Sequence, residues 1–185
     1  VHVIAKTMTA LNPDTTIEPI HQRVDPANIA ALCAGMTLTL DCADSFAVSY
    51  IASDHCLERG QPLISASVIG RNGYVGGVSG GKPGLRAVFP TLPDHLGAWA
   101  TDGVRGPSVG VIGSLQAQMA MAILTGDERS LGQLVTYDAR TLRFGGFRFD
   151  KASNPAPNPT FIAPRDIAAA DFELDLRANV ERGPG

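Results

Sequence analysis

One helix-like stretch stands between two strand-like stretches, and this alternation constrains the fold more than any other feature of the sequence. The residues TLTLDC (37–42) and PLISASVIG (62–70) are short apolar runs typical of buried strands. Between them, SFAVSYIASDHCLERG (45–60) has helical periodicity and ends at Gly60. Strands joined by a helix lie side by side in parallel through a right-handed crossover. The sequence therefore predicts an α/β fold with a parallel sheet.

The N-terminal residues predict two helices and a short strand before this unit. Apolar residues recur at helical spacing over residues 1–11, and the stripe ends at Pro13. Residues 15–20 predict the strand, and residues 25–35 predict a helix capped by Asp25. Because the first stripe begins without a capping residue, we expect the chain to be a piece of a longer polypeptide.

The residues GGVSGGKP (76–83) differ by one letter from the phosphate-binding loop G-x-x-x-x-G-K-[ST]. That loop needs a hydroxyl group after its lysine and a helix that follows at once. Pro83 has neither a hydroxyl nor an amide hydrogen, and the residues after it lack helical periodicity. The stretch therefore predicts the turn of a β-hairpin over residues 73–89 and not a nucleotide site.

The second half of the chain predicts a long helix, a second hairpin and a tail. Residues 108–126 have the length and apolar content of a core helix, and residues 133–150 predict the hairpin. Residues 150–164 are rich in proline and asparagine and predict a linker. We therefore divide the chain into a domain at residues 1–149, this linker and a C-terminal tail at residues 165–185.

The composition argues against several classes of partner. A formal net charge of −3 gives no electrostatic reason to expect nucleic acid or an anionic membrane as a partner. No uninterrupted apolar run approaches the ~18 residues of a membrane span. The N-terminus lacks the basic stretch and the cleavage site of a signal peptide. The three cysteines form no C-x-x-C pair, so neither a disulfide framework nor a zinc ribbon is expected. We therefore expect a cytoplasmic protein.

Two carboxylates follow the first predicted strand of the parallel pair. Ligands of parallel sheets bind beyond the carboxyl ends of the strands, which is where Asp41 and Asp44 lie. An aspartate between a strand and a helix is also a common N-cap, and for Asp41 a structural role is the preferred interpretation. The nearby His55, Cys56 and Glu58 do not predict a metal site, because Cys56 falls on the apolar face of the helix and no fourth ligand is apparent.

Four motifs together resemble those of one family. In their order and spacing over about residues 1–149, they resemble the ThiF/MoeB/HesA family, the ubiquitin-activating-type adenylyltransferases. The motifs are MTALNP (8–13), LDCAD (40–44), GVIGSLQA (110–117) and LVTYDARTLRF (134–144). The resemblance implies the C-terminal portion of a Rossmann-like parallel sheet with added antiparallel hairpins. It also implies that the N-terminal segment that cradles the ATP phosphates in this family is missing from this chain.

The resemblance also implies the site residues. Asp44 matches the catalytic aspartate that lies beside the ATP phosphates and a transient Mg²⁺ ion. Arg23 and Val24 match the segment that lines the adenine pocket, with a solvated loop arginine as the equal alternative for Arg23. The family usually has asparagine and arginine where this chain has Ser45 and Ser49. No Zn²⁺ is expected, because the residues LRAVF stand where many members have the first zinc-binding C-x-x-C pair.

The activity implied is the ATP- and Mg²⁺-dependent activation of the C-terminal glycine of a ubiquitin-like or sulfur-carrier protein as an acyl-adenylate. Such enzymes serve thiamine, molybdopterin or another sulfur-transfer route, and the resemblance implies a homodimer. The alternative is a non-catalytic binding or scaffold module with a degenerate Mg-ATP site, which the two serines favour. A dinucleotide-dependent oxidoreductase would need a G-x-G-x-x-G motif, which this chain lacks, although upstream sequence could supply one.

By the same resemblance, the hairpin at 73–89 and the loop at 90–107 help to receive the tail of the carrier protein. Members that form a thioester or an acyl disulfide use a cysteine in this loop, and here the loop contains none. Nucleophilic catalysis by the loop is therefore not expected. Asp94, His95 and Asp102 are its acid–base candidates, and they are weak ones because loops commonly carry such groups.

Overall fold

The computed structural model describes residues 1–91, 103–157 and 160–172 of the chain. In this part of the chain, one five-stranded sheet has its strands in sequence order. The first two strands are parallel, and each later strand is antiparallel to the one before it. The strands are β1 (Thr39–Asp41), β2 (Pro62–Ile69), β3 (Asn72–Ser79), β4 (Gln133–Asp138) and β5 (Arg143–Arg148). The predicted α/β fold, with a parallel pair and added antiparallel hairpins, is confirmed.

The helices cover the two faces of this sheet unequally. Helix α3 (Phe46–Arg59) provides the predicted crossover from β1 to β2 and ends at Gly60, whose φ of 63° is the left-handed conformation that glycine adopts readily. Helix α4 (Gly106–Leu124) packs on the opposite face, against β2 and β3. The helices are α1 (His2–Leu11), α2 (Ile29–Leu32), α3 (Phe46–Arg59) and α4 (Gly106–Leu124), with 3₁₀ turns at Leu85–Ala87 and Pro164–Asp166.

Two hydrophobic cores result, one on each face. Because side chains alternate along a strand, the neighbours Leu63 and Ile64 point to opposite faces, and both are fully buried. Leu63 packs with Cys56 of α3 in the first core, and Ile64 packs with Ile112 of α4 in the second. The alternation of side chains along β2 therefore supplies one apolar surface for α3 and another for α4.

The structure corrects two predictions near the N-terminus. Residues 15–20 form no strand; Pro19 there has no amide hydrogen to offer a sheet. The helix predicted at residues 25–35 is reduced to α2. Asp25 does cap this segment, accepting hydrogen bonds from the amides of Ala27 and Asn28 at 2.8 and 3.1 Å. The side chain of Asn28 in turn accepts from the amide of Asp25 at 3.0 Å, which closes a turn before the helix begins.

The hairpin predicted over residues 73–89 is also wrong in its second half. Strand β3 pairs with β2 and β4, while the residues that should have formed its partner make the 3₁₀ turn Leu85–Ala87. Two side chains from elsewhere hold this turn. The amide of Leu85 donates to Ser53 Oγ at 2.8 Å, and the amide of Gly84 donates to Asn154 Oδ1 at 2.8 Å. These amides are therefore not available to a strand.

The long helix and the second hairpin are confirmed as α4 and as the pair β4 and β5. Helix α4 is long and apolar enough, by length and composition alone, to cross a membrane. The side that packs on the sheet is buried and includes Ile112 and Gln116, while Met121 and Leu124 are exposed.

The segment predicted as a linker lies against α3 where the structure describes it. Besides the bond from Asn154, Phe161 approaches Tyr50 with ring centroids 6.4 Å apart, and Ala163 is fully buried. The division of the chain at residues 149 and 164 stays a prediction.

Candidate active site

Asp44 lies in the turn that leads from the carboxyl end of β1 into α3, and its side chain is exposed. The N-cap of α3 is Ser45, so Asp44 does not cap this helix. Among the described residues, none forms a hydrogen bond or an ion pair with the Asp44 carboxylate. A very small cavity of about 10 Å³ lies beside it; its lining includes Ser45, Ser49, Ser67 and Tyr74. The turn therefore presents an unpaired carboxylate at the position where parallel sheets bind ligands.

Asp41, three residues earlier, is buried and fully occupied. Its Oδ2 accepts a hydrogen bond from Ser65 Oγ at 2.8 Å, and its Oδ1 accepts from the amide of Ala43 at 3.1 Å. Asp41 therefore has a structural role, which is to shape the turn that carries Asp44, while the N-cap of α3 is Ser45.

Gln116 of α4 reaches the same turn from the other face of the sheet. Its Nε2 donates to the main-chain oxygens of Asp41 and Ile64, at 2.9 and 3.1 Å. Its Oε1 accepts from the thiol of Cys42 at 3.4 Å. In the sequence, Gln116 is apparent only as a letter of the motif GVIGSLQA. The signal that could have singled it out is its helical spacing from Ile112 and Ala120, because this spacing places a polar residue on the apolar stripe of a helix without charged side chains.

Tyr74 of β3 is the second site residue that sequence reasoning missed. Burial raises the pKa of its phenol to about 12, although the Ser65 hydroxyl, 3.4 Å from the Tyr74 oxygen, opposes the shift. Its ring lies 5.1 Å from that of Phe89. Phe89 is fixed in turn, because its main-chain oxygen accepts a hydrogen bond from Tyr50 at 2.8 Å.

A trough crosses the sheet from β5 to β2. Its floor is a row of cross-strand neighbours on the face that α3 covers only in part. Leu134, Phe147 and Phe89 line it on one side, and Asn72, Asp138 and Arg143 line it on the other. The cavity measures about 770 Å³, which is the size of a site for a small molecule or a few residues of peptide. The floor row is Ser67, Tyr74, Thr136 and Gly145.

The trough and the cavity beside Asp44 adjoin each other. Ser67 and Tyr74 line both of them. Both cavities therefore lie on the same face of the sheet, and Asp44 lies beyond the end of the trough that Ser67 and Tyr74 form.

The predicted adenine residues do not join this arrangement in the structure. Arg23 is exposed, and its main-chain oxygen accepts a hydrogen bond from Asn28 Nδ2 at 2.7 Å. Val24 is half-buried against the core that contains Leu63. Their roles, like that of Asp44, stay predictions. Asp94, His95 and Asp102 lie outside the described residues.

The chemistry of the turn fits a magnesium-bound nucleotide in one respect. Mg²⁺ in nucleotide sites is usually held by one or two carboxylates together with phosphate oxygens, and Asp44 offers one unpaired carboxylate. The amino end of α3 begins two residues later, where the helix dipole favours phosphate. Cys56, in contrast, is fully buried in the core, and burial raises its thiol pKa to about 11. The predicted absence of Zn²⁺ stays a prediction.

The fold and the site together define an α/β protein with an unpaired carboxylate after the carboxyl end of a parallel strand and a trough of about 770 Å³ on the same face of the sheet. A sequence profile described as the ThiF family matches residues 1–158. The chain therefore belongs to the ThiF family, as its motifs predicted. The match runs past the predicted domain boundary at residue 149.

Named relatives agree with this assignment. The SAMP-activating enzyme E1 of Haloferax volcanii is 33% identical over 143 residues, covering 76% of this chain and 53% of the relative. The molybdopterin-synthase adenylyltransferase of Escherichia coli (strain K12) is 34% identical over 140 residues, covering 74% and 56%. The chain thus spans about half the length of the curated relatives it matches.

A solved structure gives the same fold. The crystal structure of E. coli MccB with ATP matches with a TM-score of 0.66 at 13% identity, over 82% of this chain and 48% of that one. At this identity the likeness is one of fold alone.

Proposed function

We propose that this chain is part of an ATP-dependent adenylyltransferase that activates the C-terminal glycine of a ubiquitin-like or sulfur-carrier protein. In the reaction, a carboxylate oxygen of that glycine attacks the α-phosphorus of ATP, and the bond to the pyrophosphate leaving group breaks. The products are the acyl-adenylate and pyrophosphate. The observation that carries the proposal is the trough together with the unpaired Asp44 carboxylate beyond its Ser67 and Tyr74 end.

The dimensions of the trough suit the tail of such a carrier. The volume of about 770 Å³ has room for several residues of an extended chain. The cavity of about 10 Å³ beside Asp44 is the size of one water molecule, so this cavity does not itself hold the terminal glycine. The middle of the floor is rigid, because Tyr74 and Thr136 are each paired with a strand on both sides.

Asp44 is proposed to hold the magnesium ion. Mg²⁺ bound to the nucleotide offsets the negative charge that builds up when a carboxylate approaches the phosphates. Asp44 supplies a hard oxygen ligand, and the amino end of α3 stabilises a phosphate beside it. Arg23 and Val24 are proposed to contact the adenine. ATP use is supported by the names of the relatives, one of which is a molybdopterin-synthase adenylyltransferase.

The assembly and location remain part of the proposal. We propose a homodimer in the cytoplasm, with a ubiquitin-like or sulfur-carrier protein as partner. The relatives named as activating a SAMP and as serving molybdopterin synthase support this kind of partner.

The second candidate is a module that binds the carrier without activating it. Ser49 favours this candidate, because it is buried and its hydroxyl donates to the main-chain oxygen of Ser45 at 3.3 Å. The hydroxyl is thus turned to the helix instead of toward a phosphate. Such a module would bind the carrier tail and show no exchange of pyrophosphate into ATP.

The test is ATP–pyrophosphate exchange in the longest natural polypeptide that contains this chain. Asp44→Asn keeps the shape of the side chain and removes its charge, so we expect exchange to fall by a factor of about 100 or more. Asp14→Asn changes an exposed carboxylate in another loop and should leave exchange unchanged. Full exchange in Asp44→Asn would refute the role of Asp44. Carrier binding without exchange in the unmodified protein would establish the second candidate.

A further inference from the structure

Gln116 connects three elements at one point, although it lies on the face of the sheet opposite the trough. It is 6% exposed, and all its polar atoms are used: Nε2 by the main-chain oxygens of Asp41 and Ile64, and Oε1 by Cys42. Asp41 and Ile64 belong to the two parallel strands, so one amide holds both of them beside the site.

The chemistry of this position requires a glutamine-like amide. Main-chain oxygens only accept hydrogen bonds, so the group that faces Asp41 and Ile64 has to be a donor with two hydrogens. The Cys42 thiol can donate to the remaining oxygen. A carboxylate at the same place would face two acceptors, and a thioether would leave both main-chain oxygens without this donor.

The contacts fix every residue of the turn except one. Gln116 holds the main-chain oxygen of Asp41 and the side chain of Cys42, while Asp41 holds the amide of Ala43. Asp44 alone keeps a side chain with no partner in the described part of the chain. A rigid turn that ends in an unpaired carboxylate is what metal binding with little reorganisation requires.

We infer that Gln116 is a positioning residue, which sets the place of the Asp44 carboxylate by fixing the turn from Asp41 to Ala43. The inference rests on the proposed function for its kinetic consequence, though its structural consequence is measurable without any activity. Gln116 lines neither the trough nor the cavity beside Asp44, so it acts on Asp44 only through this turn.

The experiment compares Gln116→Met with Gln118→Met in the same full-length polypeptide. Both variants make the same chemical change in α4, but Gln118 is exposed. In Gln116→Met we expect amide hydrogen exchange at residues 42–45 to accelerate about tenfold, with β4 and β5 unchanged. The turnover of ATP–pyrophosphate exchange should fall about 10–100-fold, while KM for the carrier changes by less than about twofold. Gln118→Met should match the unmodified protein in every measurement.

Two results would overturn the inference. One is unchanged protection of residues 42–45 in Gln116→Met. The other is faster hydrogen exchange throughout the sheet, which would show a general structural role instead of a local one. If Gln116→Met does not fold, Ser65→Ala removes a single hydrogen bond to the same turn and has the same local readout. If the unmodified protein shows no pyrophosphate exchange, the proposed function fails, and the hydrogen-exchange comparison still decides whether Gln116 fixes the turn.

Discussion

The two faces of the sheet are built for different purposes. On one face, α4 covers β2 and β3 and closes a hydrophobic core over residues such as Ile64, Val75 and Leu131. On the other face, α3 packs against β1, β2 and β3 and leaves the row from Ser67 to Gly145 open as the floor of the trough. The same strands thus provide stability on one face and a binding surface on the other. Substitutions on opposite faces of one strand should therefore have different effects: those under α4 should lower stability, and those in the trough should weaken binding.

The largest effect should come from the covered face. Ile64 is fully buried, so Ile64→Ala leaves a cavity under α4 and should lower the free energy of unfolding by about 3 kcal/mol. Ile69 lies on the same strand and borders the trough, so Ile69→Ala should cost about 1 kcal/mol or less. Urea unfolding of both variants measures the difference. Equal losses would contradict the division of the faces.

A smaller effect should come from Tyr74, where the covered part of the α3 face meets the open part. Burial in the folded protein raises the pKa of this phenol to about 12, whereas the pKa of an exposed tyrosine is near 10. Below pH ~10 the phenol is neutral in both states, and folding is unaffected. As the pH rises from ~10 to ~12, only the unfolded chain loses the proton readily, so stability falls by about 2 kcal/mol. Tyr74→Phe should lose this part of the pH dependence, which unfolding measurements across that pH range would show.

The smallest effect should come from the open end of the trough. Phe147 is 51% exposed and lines the trough, so Phe147→Ala should weaken binding of the carrier by about 1 kcal/mol, roughly fivefold. Phe172 is 88% exposed and does not line the trough, and Phe172→Ala is the matched control. Calorimetric titration with the carrier measures both affinities. Equal affinities in the two variants would place the carrier elsewhere.

Local patterns predicted the elements that local chemistry determines. The apolar periodicity of α3 and its final Gly60 fixed that helix to within a residue, and the alternation in β4 and β5 predicted their pairing. The 3₁₀ turn Leu85–Ala87 could not be predicted in this way. Its amides bond to Ser53 and Asn154, which are distant in the sequence.

The site was predictable in one part only. The position of Asp44 at a strand end followed from the order of the elements, and the motifs supplied its proposed role. The trough did not follow, because its floor is a register of four strands that no short stretch of sequence contains. The part played by Gln116 likewise depends on how α4 lies across the ends of β1 and β2.

The floor row has a consequence for how this protein can change. Side chains alternate between the two faces of a strand, so an insertion of one residue in β4 would turn Thr136 toward α4 and Val135 toward the trough. One insertion would therefore change the side chains that line the trough and also remove an apolar side chain from the core. The trough and the hydrophobic core therefore depend on the same strand register. Substitutions can change the side chains of the trough alone, while insertions and deletions within its strands change the core as well.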